Sequence, residues 1–195
     1  MNQKHDRQEA LEKGLQLLCE NSYHNIGVNL ICQQTGMTKG AFYNAFKSKE
    51  NFLIEVLNVF AQSSLERIRY QLSFPPEQPA VERLKNFYIQ MLEQQPSLNF
   101  AGCFVNNIMS ELGAQNEAVA ECTSLLFNSF VLAIQPCVLE AQEQGAFDKN
   151  LSAKDIAQLL HASFYGALTC ARGLRQNHQA ITNMNLLFKS LTTSH

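Results

Sequence analysis

The chain has 195 residues, of which 46% are hydrophobic and 16% charged. This is the composition of a chain that folds around a core, and it excludes a disordered tail or a fibrous repeat. A formal net charge of −2 excludes nucleic-acid binding through bulk positive charge alone. The sign is split only weakly. Residues 1–50 carry six Lys/Arg against five acids, and the remainder nine against twelve.

The N-terminal stretch MNQKHDRQEALEKG is polar and contains acids, so it reads as neither a secretory nor a transit peptide. No uninterrupted apolar run approaches the roughly 20 residues of a bilayer span. The expected compartment is the cytoplasm, with no membrane partner. Six cysteines (Cys19, Cys32, Cys103, Cys122, Cys137 and Cys170) are scattered without a CxxC pair, which suits thiols in a reducing compartment better than disulfides or a zinc site.

Almost every segment has helical period. Leu11, Gly14, Leu15 and Leu18 share one face of a first helix. After a break at NSYHNIG, Val28, Ile31 and Cys32 mark a short second helix that stops at Gly36. Thr38 is placed to cap a third, KGAFYNAF, and Ser48 to cap a long fourth helix over about 49–70. SFPPEQP, with Pro75, Pro76 and Pro79, is the clearest linker. Helices are predicted beyond it at about 80–94, 102–113, 116–144 (with a kink at Pro136), 152–176 and 180–193. No strand-period run, repeat or low-complexity tract interrupts them, and the fold class is all-α.

Three short helices, the second and third joined through a glycine turn, describe a helix-turn-helix module. Positive φ at Gly36 is cheap only for glycine, and Met37 is the apolar turn residue that plugs into the core. In the third helix, Phe42 and Phe46 point inward with Ile31 and Leu15, while Lys39, Tyr43 and Asn44 fall on the other side. Gly40 and Ala41 keep the surface low, so that backbone can approach DNA. Lys39 in the first turn opposes the helix dipole, a cost that a phosphate partner would repay. Lys49, just after the Ser48 cap, suits a phosphate at the amide-rich start of the next helix. A solvated charged face is the plain alternative for each lysine taken singly. Candidate DNA contacts are Asn29, Thr38, Lys39, Gly40, Tyr43, Asn44 and Lys49. Asn29 and Tyr43 are assigned to phosphate, and Thr38 and Asn44 lie nearer base edges.

The segment GVNLICQQTGMTKGAFYNAFKSKENF, Gly27 to Phe52, resembles the DNA-binding signature of the TetR family of bacterial transcriptional repressors: the turn glycine, K-G, F-Y and S-K-E all fall in register. Gly27 stands where Ser or Thr usually caps, and Asn44 where His is common. The resemblance implies a DNA-binding domain over 1–48 and a helical effector-binding and dimerisation domain over 49–195, linked by helix 49–70. It implies a repressor that binds a palindromic operator as a homodimer, through a four-helix interface made by the last two long helices. Ile156, Leu160, Phe164, Ala167, Leu168, Leu186 and Leu187, with the small residues of GALTCARG, are the surface offered there; intramolecular core is the other reading of the same residues.

For the effector, Phe87, Tyr88, Met91, Phe104, Phe127, Phe130 and Tyr165 suffice to line an apolar pocket, with His161 and Tyr165 as polar handles. Plain core is the alternative for any one of them. Cys103 follows Gly102 at the start of a helix, where unpaired amides favour thiolate. NFAGCFVNNIMSELG resembles the same region of the NemR-like branch of the family, which implies release by electrophiles or oxidants at Cys103, with Cys170 a remoter resolving partner. Cys19, Cys32, Cys122 and Cys137 read as core. No HExxH, nucleophile signature, phosphate-cradling glycine loop or metal-spaced cluster is present, so no catalytic residue, metal or cofactor is expected. An all-α enzyme and a helical protein-binding adaptor are the alternatives, and charge reversal at Lys39 and Lys49 separates them from a DNA binder.

Overall fold

The computed structural model describes residues 7–192. Its elements are α1 (Arg7–Glu20), a 3-10 turn (Tyr23–Asn25), α2 (Val28–Thr35), α3 (Lys39–Phe46), α4 (Lys49–Ser73), α5 (Ala80–Glu93), α6 (Phe104–Leu112), α7 (Glu117–Glu143), α8 (Ala153–Leu174) and α9 (His178–Leu191). Among the described residues no strand forms, and the one isolated bridge joins Phe147 and Thr192. The all-α expectation holds, with helix ends within two or three residues of the predicted ones. The α7 helix runs through Pro136 without a break in its span. It is also the one described helix long and apolar enough to cross a membrane by length and composition alone. Val119, Phe130, Val131, Ile134 and Val138 of its length are buried in the protein.

The chain forms two compact units: Met1–Ser63 with Phe104–Leu126, and Ser64–Cys103 with Phe127–His195. In the first, α1 packs on α2 and α2 on α3. The α1 face is made by Leu11, Gly14, Leu17 and Leu18, with Leu15 only half-buried. Gly14 is demanded by packing, because a Cβ there would run into the buried Phe52 ring. Gly36 ends α2 in the left-handed region at φ 73°, and Met37 is buried behind it.

In the second unit α8 packs on α9, and both contact α5. Leu84 and Tyr88 of α5, Leu160 and Phe164 of α8, and Met184 and Phe188 of α9 are buried there. The Arg83 guanidinium is buried as well. It is paired with Glu140 and donates Nε to the Leu72 carbonyl at 2.8 Å, which is how a buried charge is tolerated.

Two sequence expectations change. Ile156, Leu160, Phe164, Ala167 and Leu168, offered as partner surface, are buried within the chain, whereas Leu159, Gly166, Cys170 and Leu186 are exposed. Of the cysteines expected in the core, Cys32 and Cys137 are buried, but Cys19 is exposed and Cys122 only half-buried.

Candidate functional site

The residues singled out in the sequence gather at two features, one in each unit. The first is the outer face of α3. Thr38 caps this helix, its hydroxyl accepting from the Ala41 amide at 3.2 Å, and its backbone carbonyl accepts from Phe42 N at 2.9 Å. The inner face is locked by Phe42 and Phe46, whose ring centroids lie 5.4 Å apart and which both meet Phe52. With those rings fixed, the helical period must turn Lys39, Gly40, Tyr43 and Asn44 outward. All four are exposed, Tyr43 by 48%, and Thr38 and Asn29 are exposed beside them.

Gly40 is informative. Among the described residues, and apart from its own helix backbone and chain neighbours, nothing lies within 4 Å of a Cβ placed there, and its φ is not in the left-handed region. Glycine in a helix costs up to about 1 kcal/mol relative to alanine. No internal packing explains that cost, so the space over Gly40 suits something that approaches from outside.

Lys49 departs from the others. Its ammonium is turned inward, donating to the carbonyls of Tyr23 at 3.1 Å and Ile26 at 2.8 Å. It also lies over the Tyr23 ring, 3.8 Å from the centroid. Burial lowers its pKa, against the opposing pull of the Glu111 carboxylate. The structure thus occupies Lys49 inside its own module instead of leaving it open to a phosphate. The same corner is gripped from α6: Glu111 accepts from the Ser22 hydroxyl and from the backbone amides of Tyr23 and His24. The carboxylate of Glu50 accepts from the Asn116 side-chain amide. Sequence reasoning missed this clamp, since acids 60 to 90 residues away leave no local signal.

The second feature is a cluster of rings in the second unit. His161 is 4% exposed and is surrounded by Tyr88, Phe127, Phe130, Phe164 and Tyr165, with centroids at 4.7 to 6.3 Å. Among the described residues neither of its ring nitrogens has a hydrogen-bond partner, and neither does the hydroxyl of Tyr88, which is 0% exposed. Each such buried group costs roughly 1–3 kcal/mol. Burial alone pushes the His161 pKa down to about 3, so the imidazole is neutral near physiological pH. Burial, followed by the neighbouring Cys137, raises the Tyr88 hydroxyl well above the usual tyrosine range.

The Cys103 thiol borders this cluster, donating to the Tyr165 hydroxyl at 3.9 Å. Burial, then Cys103, raises the pKa of Tyr165. Gly102 turns the chain at φ 77° just before, and its amide donates to Gln95 Oε1 at 2.9 Å. Of the effector residues expected from sequence, Phe127, His161, Tyr165 and Cys103 are brought together, and Phe87 joins through Tyr88 at 5.0 Å. Met91 is half-buried on α5. Phe104 instead packs on Phe60 of α4, 5.6 Å away. Cys170 is exposed and lines a groove of about 270 Å³ between α8 and α9, with Gly166, Asn183 and Leu187. Tyr165, five residues earlier on α8, is buried.

Known proteins share this architecture. Residues 10–56 match the family of bacterial regulatory proteins of the tetR type, and residues 80–186 match the tetracyclin repressor-like C-terminal domain. The HTH-type transcriptional repressor DhaR of Mycobacterium sp. (strain GP1) is 31% identical over 188 residues, covering 96% of this chain and 93% of that protein. The transcriptional regulator AcuR of Cereibacter sphaeroides is 25% identical, covering 85% and 75%. Among solved structures, the reduced form of Escherichia coli NemR superposes with a TM-score of 0.83 at 21% identity, covering 96% of this chain and 97% of that one. A TetR regulatory protein from Rhodobacter sphaeroides superposes at 0.81, also at 21%, covering 95% and 98%.

Proposed function

From the premise that this chain belongs to the TetR family of bacterial transcriptional regulators, DNA-binding proteins and not enzymes, we propose that it represses transcription from a palindromic operator as a homodimer. Residues 1–48 form the reading module in this proposal, and 49–195 the effector and dimerisation part. One observation carries the reading: α3 presents Lys39, Gly40, Tyr43 and Asn44 outward from an inner face fixed by Phe42 and Phe46. Lys39 and Tyr43 meet phosphates, Gly40 lets the backbone come close, and Thr38 and Asn44 lie at base edges. Asn29, exposed in the first turn of α2, takes a phosphate. Lys49 serves instead by holding the Tyr23–Ile26 turn against α4.

A single helix reads few base pairs, so two copies set their recognition helices about 34–36 Å apart, one turn of DNA. The exposed α8–α9 face supports the pairing. Leu159 and Leu186 are exposed there, and among the described residues nothing outside the helix's own backbone lies within 4 Å of a Cβ position at Gly166 or Gly173, which leaves room for close helix packing. Such a regulator works in the cytoplasm, where the operator lies.

Release follows when an effector at the His161 cluster favours a spacing that no longer fits successive grooves. Thiol chemistry at Cys103, as in the NemR-like branch, is the second route. An electrophile with an activated C=C bond adds the Cys103 sulfur at one carbon and receives the thiol proton at the other, with nothing leaving. The adduct ends thiol donation to Tyr165.

The test is a gel shift on the DNA upstream of the protein's own gene. Lys39→Glu should weaken binding and lower the slope of log affinity against log salt by about 0.9 per lost phosphate contact. A quinone should release wild type and leave Cys103→Ser bound. Release of both alike would remove Cys103 from the mechanism, and binding indifferent to Lys39→Glu would remove α3 as the reading helix.

A further inference from the structure

The polar atoms inside the ring cluster indicate what kind of molecule it takes. A neutral imidazole offers one N–H donor and one acceptor nitrogen, and a tyrosine hydroxyl offers both. Here His161 Nδ1, His161 Nε2 and Tyr88 OH are buried and lack hydrogen-bond partners among the described residues. Unmet groups of this sort, grouped within one set of rings, mark a place where a partner belongs. Of the rings around them, Phe127, Phe130 and Phe164 bring faces and edges but no polar atoms, and Tyr165 brings a hydroxyl that accepts from the Cys103 thiol. Among the described residues of the His161 shell, Phe127 is the ring that is partly exposed, and the others are buried.

The charges argue further. The buried cation of this unit, Arg83, reaches Cys137 and is balanced by Glu140. Its Nε is also committed to the Leu72 carbonyl. Burial alone moves the His161 pKa, and no charged group among the described residues contributes to that shift. A charged ligand would enter this shell without a counter-ion, at a high desolvation cost.

We propose that the Tyr88–His161 cluster binds a small uncharged molecule with an apolar body and a group that both donates and accepts hydrogen bonds, such as a primary amide or an alcohol. The inference rests on the reading of this cluster as the effector site and narrows it to a ligand class. The ligand supplies an acceptor to the imidazole N–H or the Tyr88 hydroxyl and a donor to the unprotonated ring nitrogen. Its apolar body stacks among the phenylalanines.

The experiment is calorimetric titration of the full-length protein near neutral pH with benzamide, benzoate and toluene. Benzamide should bind saturably, and benzoate, of nearly the same shape but charged, at least roughly tenfold more weakly. Tyr88→Phe and His161→Phe should each weaken benzamide by roughly three- to tenfold and leave toluene unchanged. In the wild type, which needs no substitution to fold, the ring nitrogen resonances of His161 should move with benzamide and stay put with benzoate. Absence of benzamide binding, equal binding of benzoate, or indifference of both variants would overturn the proposal and assign the unmet atoms to internal water. If benzamide binds with this selectivity and the operator complex survives saturation, the ligand class stands and the effector reading falls. If a charged molecule releases the operator and His161→Phe abolishes that release, the effector reading stands and the uncharged class falls.

Discussion

Phe42, Phe46 and Phe52 in the first unit meet at ring centroid distances of 4.8 to 5.5 Å and bring no polar side-chain atom of their own. The rings of the second unit meet at similar distances but enclose His161 and the Tyr88 hydroxyl, none of whose polar atoms is satisfied. The first cluster spends all its burial on stability and so holds α3 in a fixed attitude. The second withholds part of that stability. The contrast suggests a rigid element where a groove must be matched and a deficit where a ligand is to be rewarded for filling it.

Breaking the first cluster should have the largest effect. Phe42→Ala is expected to cost about 3–5 kcal/mol, read by urea denaturation, with loss of operator binding. A cost below about 1 kcal/mol would mean that the three rings are not one packed unit.

The second cluster should reveal itself in acid. His161 takes a proton near 6.5 when unfolded but only at about 3 when folded. Below 6.5 the unfolded chain therefore binds the extra proton, and stability that is complete above 6.5 is lost progressively as pH falls toward 3. One proton gives a slope of about 1.4 kcal/mol per pH unit, or about 2 kcal/mol by pH 5. Denaturation curves of His161→Phe should lack this component; identical acid profiles for variant and wild type would remove His161 as its source.

The two lysines sharpen the contrast within the first unit. Lys49→Met should lose about 1–2 kcal/mol of stability, because two carbonyls and the Tyr23 face lose their partner. Lys39→Ala should leave the melting temperature unchanged and weaken only DNA binding. Equal melting temperatures for the two variants would contradict the inward placement of Lys49.

The smallest effect is expected at Gly40. Gly40→Ala should stabilise the protein by about 0.5 kcal/mol through helix propensity while weakening the operator complex. A variant that is stabilised and still binds as tightly would show that nothing approaches that face.

Much of the first unit was legible in its sequence, because local rules act over a few residues. Gly36, the Thr38 cap and the inward pair Phe42 and Phe46 all follow from period and turn chemistry. So does Ser48, whose hydroxyl accepts from Asn51 N at 3.0 Å. The inward bonds of Lys49 are not legible in the sequence, because charge alone suggests solvent or phosphate; its partners lie 23 and 26 residues back and are carbonyls, which no side-chain pattern announces. The ring cluster was legible as a set of aromatic residues and not as a site. The want of a partner at His161 depends on what α5, α7 and α8 all fail to supply, and a missing partner leaves no motif. The partner face of α8 was misplaced for a related reason: Leu159 and Leu160 are equally apolar, and only packing decides which is turned inward.

The Glu111 clamp has a consequence for how such proteins can be recombined. Two of its three donors are backbone amides, those of Tyr23 and His24, which every residue except proline possesses. The joint therefore recognises the course of the chain more than the identity of its side chains. A reading module with a different operator could be grafted onto this body and still be held, provided its turn offers two amides and a small hydroxyl in the same places. Within the first unit, the sequence of the helix-turn-helix segment is then free to vary while one carboxylate of α6 serves as its common fitting.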